Sequence, residues 1–514
     1  MKIVIFTWHS RKNLELVLPL ARYLDKHCGA EIEFITSDTS GKISLAVEGY
    51  RASTVNELIL AFANDPDPDP AAYDPKLGAL DLKVDWLWTP PDVLTPPAGA
   101  TMASETYRRW KVVQFLRSYD GFLREVRPQV VMTWNGTLAV TRCLTQAASK
   151  YGLGCFFMER GLVPGTLVVD SKGVNYESEW AGSLPATIPT PTPERRAAIK
   201  SLCHDLREGA RSVVNTGSTI EEQDLIERLD IDAESTIILL PLQIENDTNI
   251  VENSSLVKSM VAMIAEVEKA IDGLACCVVV KPHPEDARRR DVIERACAGS
   301  QLRCSWDCSL HSLLAVSDQV IVINSTVGLE ALMQNIPVIA LGNSVYNQKG
   351  FTTDVNDFAE LRNAIAHATT PPYATETFWQ FMNQLISHGV FSYDSEDPWG
   401  NRESVGRRVV AFGEDLAEVW EKEPAPPRQL ENRETVRQLL NGESTVPTTI
   451  LGGFEPPFGR LPASVKGVEN AAAAVRAILT FSRPEVLIVL QPRVSLAKRI
   501  FARLLRPRQL VEIH

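Results

Sequence analysis

The stretch "VIVINSTVGLEALMQNIPVIALG", residues 320–342, constrains the fold most. An apolar run leads into Asn324-Ser325-Thr326, helical spacing follows at once, and a second apolar run begins after Pro337. A strand that hands its end to a helix and is followed by another strand implies a βαβ crossover, hence a parallel sheet. Such sheets bind ligands at the carboxyl ends of their strands.

The unit recurs along the chain. "KIVIF" (2–6) is a strand, "LELVLPLARYLDKH" has helical spacing, and "AEIEFITS" is the next strand. A helical region covers about 101–126, and "PQVVMTWNG" (128–136) is a strand ending in a polar turn. "GCFFMERGLVPGTLVVDSKGVN" (154–175) reads as a strand followed by a Gly- and Pro-rich loop. After the Pro-rich linker "PATIPTPTPERR" (185–196) the pattern restarts with "TIILLPLQ" (236–243), a helix over about 251–271, the strand "ACCVVVKPHP" (275–284) and a helix over about 285–298. At 514 residues the chain is too long for one core. The expected class is α/β: two doubly wound Rossmann-type domains facing a cleft, plus a C-terminal extension. The expected boundaries are 1–190 for the N-terminal domain, 191–370 for the C-terminal domain, 371–420 for a bracing segment and 421–514 for the extension.

Composition narrows the function. A net charge of -12 argues against bulk nucleic-acid binding, and no apolar run is long enough to span a bilayer. "MKIVIFTWHSRK" turns polar too soon for a signal peptide, so a cytoplasmic location is expected. The nine scattered cysteines suit a reducing compartment, and "CSWDC" has no second pair at ligand spacing, so no metal is expected. "NDPDPDPAAYDP" (64–75) contains Asp-x-Asp, but its alternating prolines read as an extended loop. In "SLAKRIFARLLRPR" (495–508) Leu496, Ile500 and Leu504 share one face, with basic residues largely elsewhere. That pattern suits peripheral contact with an anionic inner-membrane face, or a terminal helix packed on the domain.

Four strand ends carry the candidate chemistry. Asn324, Ser325 and Thr326 open a helix, whose N–H groups and dipole suit a phosphate; the same residues also serve as a simple cap. In "KPHP" (281–284) two prolines stiffen His283 beside Lys281. "PLQIENDTNI" (241–250) places Gln243, Glu245 and Asp247 on a loop. Asp247 is a candidate to attack an anomeric carbon, with Glu245 its rival. "FFMERGLVPG" puts Glu159 at a strand end, a candidate base for an acceptor hydroxyl, with Asp170 and Asn175 further along.

Together "FFMERGLVPGTLVVDSKGVN", "PLQIENDTNI", "KPHPED" and "NSTVGLEAL…GNSVYNQKGFT" resemble the bacterial capsule polysaccharide biosynthesis family, which contains KpsS/KpsC-type retaining β-Kdo glycosyltransferases. The resemblance runs through about residues 128–355. It implies a GT-B-like enzyme, with 1–190 as acceptor domain and 191–370 as nucleotide-sugar donor domain, that transfers Kdo from CMP-Kdo, with no resident cofactor or metal, to a glycan or glycolipid acceptor. It implies Asp247 as nucleophile, Glu159 as acid/base and His283 at the CMP phosphate. Lys281, Pro284, Gln243, Asn324, Ser325, Thr326 and Glu330 would hold the nucleotide sugar. Trp134, Asn135, Gly161, Asp170 and Asn175 would line the acceptor side. Two departures stand out: Phe351 in Gly350-Phe351-Thr352, and "YESEW" after Asn175, where relatives tend to carry a basic residue. Competing expectations are a UDP-sugar 2-epimerase, whose phosphate loop is usually richer in Ser-Gly-Gly, and a non-catalytic capsule-assembly component.

Overall fold

The computed structural model describes residues 1–8, 11–62, 65, 105–163, 165–182, 184, 188–207, 222–232, 234–245, 247–299, 301–367, 371–393, 397, 399–414, 416, 419–420, 448–451, 465–468, 486–490 and 509–513. Two compact units emerge: Met1–Met158 with Gly406–His514, and Glu159–Val405.

The first unit begins β1 (Lys2–Thr7), α1 (Arg11–Cys28), β2 (Glu31–Thr36), α2 (Thr39–Val47), β3 (Arg51–Thr54) and α3 (Val55–Ala61). It continues with α4 (Glu105–Val126), β4 (Val130–Trp134), α5 (Ala139–Lys150) and β5 (Gly154–Arg160). Its parallel strands run in the order β5-β4-β1-β2-β3. Residues 3–6 of β1 are fully buried, so the strand reads as a continuous apolar run because helices cover both faces.

The second unit starts with β6 (Thr166–Asp170), α6 (Pro193–Arg207) and α7 (Glu222–Arg228). Then come β7 (Thr236–Pro241), α8 (Thr248–Asn253), α9 (Met260–Ile271), β8 (Cys276–Lys281), α10 (Arg290–Ala296) and β9 (Leu302–Cys304). The second half holds α11 (Leu310–Ala315), β10 (Gln319–Val322), α12 (Thr326–Met333), β11 (Val338–Ala340), β12 (Thr353–Asp354), α13 (Phe358–His367), α14 (Glu376–Gln384) and β13 (Val390–Ser392). The order β12-β11-β10-β7-β8-β9 is all parallel and reverses between β7 and β10. This is the doubly wound order expected from the sequence, with its switch point at that pair.

Period-two alternation divides the core of this sheet. Ile237, Leu239, Cys277, Val279, Val320 and Val322 pack into one cluster with Ile199 and Leu202 of α6 and Phe378 and Phe381 of α14. Ile238, Leu240, Val278, Val280, Ile321 and Ile323 pack into the other with Met260, Met263, Ile264 and Val267 of α9. Each fully buried aliphatic side chain contributes roughly 1.5–3 kcal/mol, and a one-residue register slip would exchange the two faces.

Several elements differ from the sequence reading. The helix expected over about 285–298 is a 3₁₀ turn over 284–289 followed by α10. "TLVVD" is a strand, β6, pairing antiparallel with β13 rather than a loop. The helix expected over 251–271 is two helices, because Ser254 leaves the helical region and Ser259 caps a new start.

Helix α15 (Arg402–Glu414) reaches the first unit, where Phe412 meets Phe156 edge-on at 5.4 Å and the Trp420 indole N–H donates to the Pro128 carbonyl at 2.6 Å. The tail contributes β14 (Thr448–Leu451), β15 (Val465–Val468), β16 (Val486–Leu490) and β17 (Gln509–Ile513), parallel in the order β15-β14-β16-β17. The basic stretch 495–508 and nearly all of the loop 64–75 lie outside the described residues. Among the described residues no helix is long and apolar enough to cross a membrane, and no three His, Cys, Asp or Glu side chains cluster as metal ligands. All nine cysteines are free thiols.

Candidate functional site

A pocket of about 250 Å³ lies at the carboxyl edge of the second unit's sheet, over the switch point between β7 and β10. The segments after β7, β8 and β10 form its walls, and Leu310 of α11 contributes an apolar edge.

One wall is the start of α12. Ser325 has extended backbone angles and its hydroxyl accepts from the Val327 N–H at 3.3 Å, so it is the N-cap, and Thr326 is the first helical residue. The Tyr346 hydroxyl donates to the Ser325 carbonyl at 2.6 Å and holds that turn from behind. Gly328 lies flat against the Tyr346 ring, where a Cβ has no room. On the next turn Glu330 also lines the pocket, though only 5% exposed. Its carboxyl has no hydrogen-bond partner among the described residues, and burial pushes its pKa up to about 7. A buried carboxyl facing a cavity without a partner is costly unless a ligand supplies donors.

Lys281 ends β8, is buried, and donates to the Trp306 carbonyl at 2.6 Å. Burial lowers its pKa, against the pull of Cys308 and Asp307. His283 caps the 3₁₀ turn 284–289, its Nδ1 accepting from the Glu285 N–H at 3.2 Å, with Pro284 at the first position of the turn. An accepting Nδ1 places the proton of the neutral ring on Nε2, which is then a donor.

The third wall resolves two neighbouring carboxylates. Asp247 is the N-cap of α8, accepting from the Asn249 N–H at 2.8 Å; it is exposed and lines the pocket. Glu245 is not among the lining residues. It accepts from the Met260 N–H at 2.8 Å, at the start of α9, and pairs with Arg289 at 2.9 Å. Burial pushes its pKa up, but the Met260 amide and the Arg289 guanidinium together outweigh that and hold it below the ordinary value. Glu245 is thus engaged in structure, whereas Asp247 faces the cavity.

Gln243, Lys281, His283, Pro284, Asn324, Ser325, Thr326, Glu330 and Asp247 are therefore brought together, and Asn175 joins them. Asn175 has left-handed backbone (φ 54) in a loop organised by Asp170. The buried Asp170 carboxylate accepts from the N–H groups of Lys172 (2.7 Å), Gly173 (3.1 Å) and Glu179 (3.0 Å). Burial raises its pKa despite those three bonds. Asp170 thus supports the loop and does not line the pocket. Nor do Glu159, whose carboxylate accepts from the Arg160 N–H at 2.9 Å, and Gly161, whose N–H donates to the Thr166 carbonyl at 2.8 Å. Trp134 and Asn135 belong to the first unit, where Asn135 (φ 65) and Gly136 (φ 77) turn the chain after β4. Sequence reasoning did not single out Asn249 or Leu310 as lining residues; a position two beyond an N-cap aspartate was the available signal for Asn249.

Residues 193–393 match the model of a family described as "Capsule polysaccharide biosynthesis protein". Protein FixF of Sinorhizobium fredii is 27% identical over 275 residues, covering 52% of this chain and 63% of that protein. The capsule polysaccharide export protein KpsS of Escherichia coli is 29% identical over 143 residues, covering 26% of this chain and 36% of that protein. The chain thus spans less than two thirds of each of these relatives. A solved structure of the Thermosulfurimonas dismutans KpsC β-Kdo 2,4 transferase is 19% identical with a TM-score of 0.37, covering 49% of this chain and 78% of that one. Residues 193–393 are thus similar to the capsule polysaccharide biosynthesis family.

Proposed function

We propose that the second unit's pocket is the donor site of a retaining glycosyltransferase that takes Kdo, or a related sugar, from its CMP conjugate for surface-glycan assembly. The observation that carries this reading is the buried Glu330 carboxyl, without a hydrogen-bond partner among the described residues, one turn along from the α12 N-terminus and in the same pocket as His283 and Asp247. An anion suits the first turn of α12 and the Nε2–H of His283. The ammonium of Lys281 adds positive charge nearby, although its hydrogen bond to Trp306 anchors it. A ribose diol suits Glu330, whose acceptor capacity is unused. An anomeric carbon suits the exposed carboxylate of Asp247.

In this reading Asp247 attacks the anomeric carbon as the bond to the phosphate oxygen breaks. The leaving CMP takes the electron pair, and α12 and His283 stabilise its charge. The acceptor hydroxyl then displaces Asp247 and gives up its proton to a base on the acceptor side, the role the sequence resemblance gives Glu159, which lies outside the donor pocket; two inversions give net retention. The donor is a substrate, and the scheme calls for no resident cofactor or metal. Trp134, Asn135 and the segment 495–508 are assigned to the acceptor side, the last toward a glycolipid at the inner membrane face. Asn175, from the sequence motif that contains Glu159, lines the donor pocket.

The test is CMP release from CMP-Kdo, with and without a glycan acceptor. Wild-type protein is expected to release CMP. Asp247→Ala is expected to lose release while still binding CMP, and near-normal release by that variant contradicts the assignment.

A further inference from the structure

Two residues that the sequence assigns to ligand contact are occupied with each other. The Gln243 side chain follows β7, and Asn324 follows β10, on the two sides of the switch point. Gln243 Nε2 donates to Asn324 Oδ1 at 3.0 Å, and Gln243 Oε1 accepts from the Asn324 backbone N–H at 3.3 Å. Asn324 Nδ2 donates to the Asn249 carbonyl at 2.9 Å. The same Asn249 donates its N–H to Asp247 Oδ1 at 2.8 Å. A continuous hydrogen-bonded chain therefore runs from Gln243 through Asn324 and Asn249 to the Asp247 carboxylate. Asn324 is also the residue immediately before the N-cap of α12.

We infer that Gln243 and Asn324 are positioning residues, a clamp across the switch point that sets the Asp247 carboxylate against the N-terminus of α12. Parallel strands flanking a switch point diverge into their own loops, so nothing in the sheet ladder itself fixes the spacing of those loops. The clamp supplies that spacing through side chains. Its geometry is directional: both amides must present oxygen and nitrogen in the order observed, so an isosteric carboxylate cannot replace either one. In Asn324→Asp the Gln243 bonds survive, but a second oxygen replaces the nitrogen that holds Asn249. In Gln243→Glu the bond to Asn324 Oδ1 becomes an oxygen–oxygen contact, and the link fails at its other end. The inference concerns the same pocket and, for its activity readout only, rests on the donor-site reading.

The experiment is amide hydrogen exchange on the full chain, wild type against Asn324→Asp, Gln243→Glu and the double variant Gln243→Ala/Asn324→Ala. Global folding is checked by thermal unfolding, and the isosteric variants keep the test open where the alanine pair does not fold. The expected result for Asn324→Asp is faster exchange in residues 248–253, about tenfold, with the first turn of α12 unchanged. Gln243→Glu is expected to accelerate both segments. Unchanged exchange in 248–253 in Asn324→Asp overturns the clamp, whatever the protein's activity.

Where CMP-Kdo turnover is measurable, the clamp predicts a split. The turnover rate falls about tenfold or more in each of the single variants Gln243→Ala and Asn324→Ala, CMP affinity changes little, and the double variant is no worse than the poorer single. Additive losses in CMP affinity mark the two amides as direct ligand contacts and overturn the inference. Absence of any CMP binding by the wild type contradicts the donor-site reading and leaves the exchange result to decide the clamp.

Discussion

Replacing Glu330 by glutamine separates the folding cost of this residue from its use. The carboxyl has an ordinary pKa of 4.5 and is pushed up to about 7 by burial. The folded state therefore favours the protonated form. Its contribution to stability is fully present below pH 4.5 and is lost as the pH rises toward 7. The difference of about 2.5 units, at 1.36 kcal/mol per unit, amounts to about 3 kcal/mol at pH 8 and about 1 kcal/mol at pH 5. Glutamine has nearly the same shape and no charge to desolvate. Glu330→Gln is thus expected to be more stable than the wild type by about 3 kcal/mol at pH 8, with most of that gain gone at pH 5. Urea denaturation at the two pH values measures it. Equal effects at both pH values, or a loss of stability at pH 8, refute the reasoning. Ligand binding gives the complementary sign. Under the proposed donor-site reading a ribose diol would donate to the ionised carboxylate, so affinity is expected to rise with pH, about tenfold between pH 6 and 8. Cytidine is the suitable probe because it carries the diol without a titrating phosphate, and the rise is expected to disappear in Glu330→Gln.

Glu245→Ala is expected to cost about 1–2 kcal/mol of stability, because the Met260 N–H at the start of α9 and Arg289 both lose their partner; thermal unfolding checks it. Gly328→Ala is expected to destabilise by about 2 kcal/mol and to weaken CMP binding, since the new methyl displaces the Tyr346 ring and its bond to Ser325. Calorimetric titration and thermal unfolding of that variant test both effects. Asp170→Ala removes the acceptor of three N–H groups and is expected to cost about 3 kcal/mol, with faster hydrogen exchange in residues 172–179.

The strands of the second unit were legible in the sequence because burial on both faces leaves runs such as "IILL" and "VVV" that no other element explains. The pocket loops were legible for a related reason: each strand ends abruptly in small polar or proline-flanked residues, which is the sign of a carboxyl edge. Other features depend on tertiary partners. "TLVVD" looked like loop because its strand identity comes from pairing with Val390–Ser392, more than 200 residues away in sequence. Gln243 and Asn324 each read as ligand groups, since 81 residues separate them and nothing local announces that each completes the other's hydrogen bonds. The different surroundings of Glu245 and Asp247 likewise depend on Arg289 and the start of α9, which bind Glu245, while Asp247 lines the cavity.

The donor site is tested most directly by a thermal-unfolding screen of the full chain against CMP, UDP, GDP and ADP, repeated with His283→Ala. A ligand that binds only the folded state adds about 2.7 kcal/mol at a hundredfold excess over its dissociation constant. CMP is expected to stabilise the wild type, and His283→Ala is expected to lose that stabilisation. Stabilisation by UDP instead of CMP, or by no nucleotide at all, contradicts the donor-site reading.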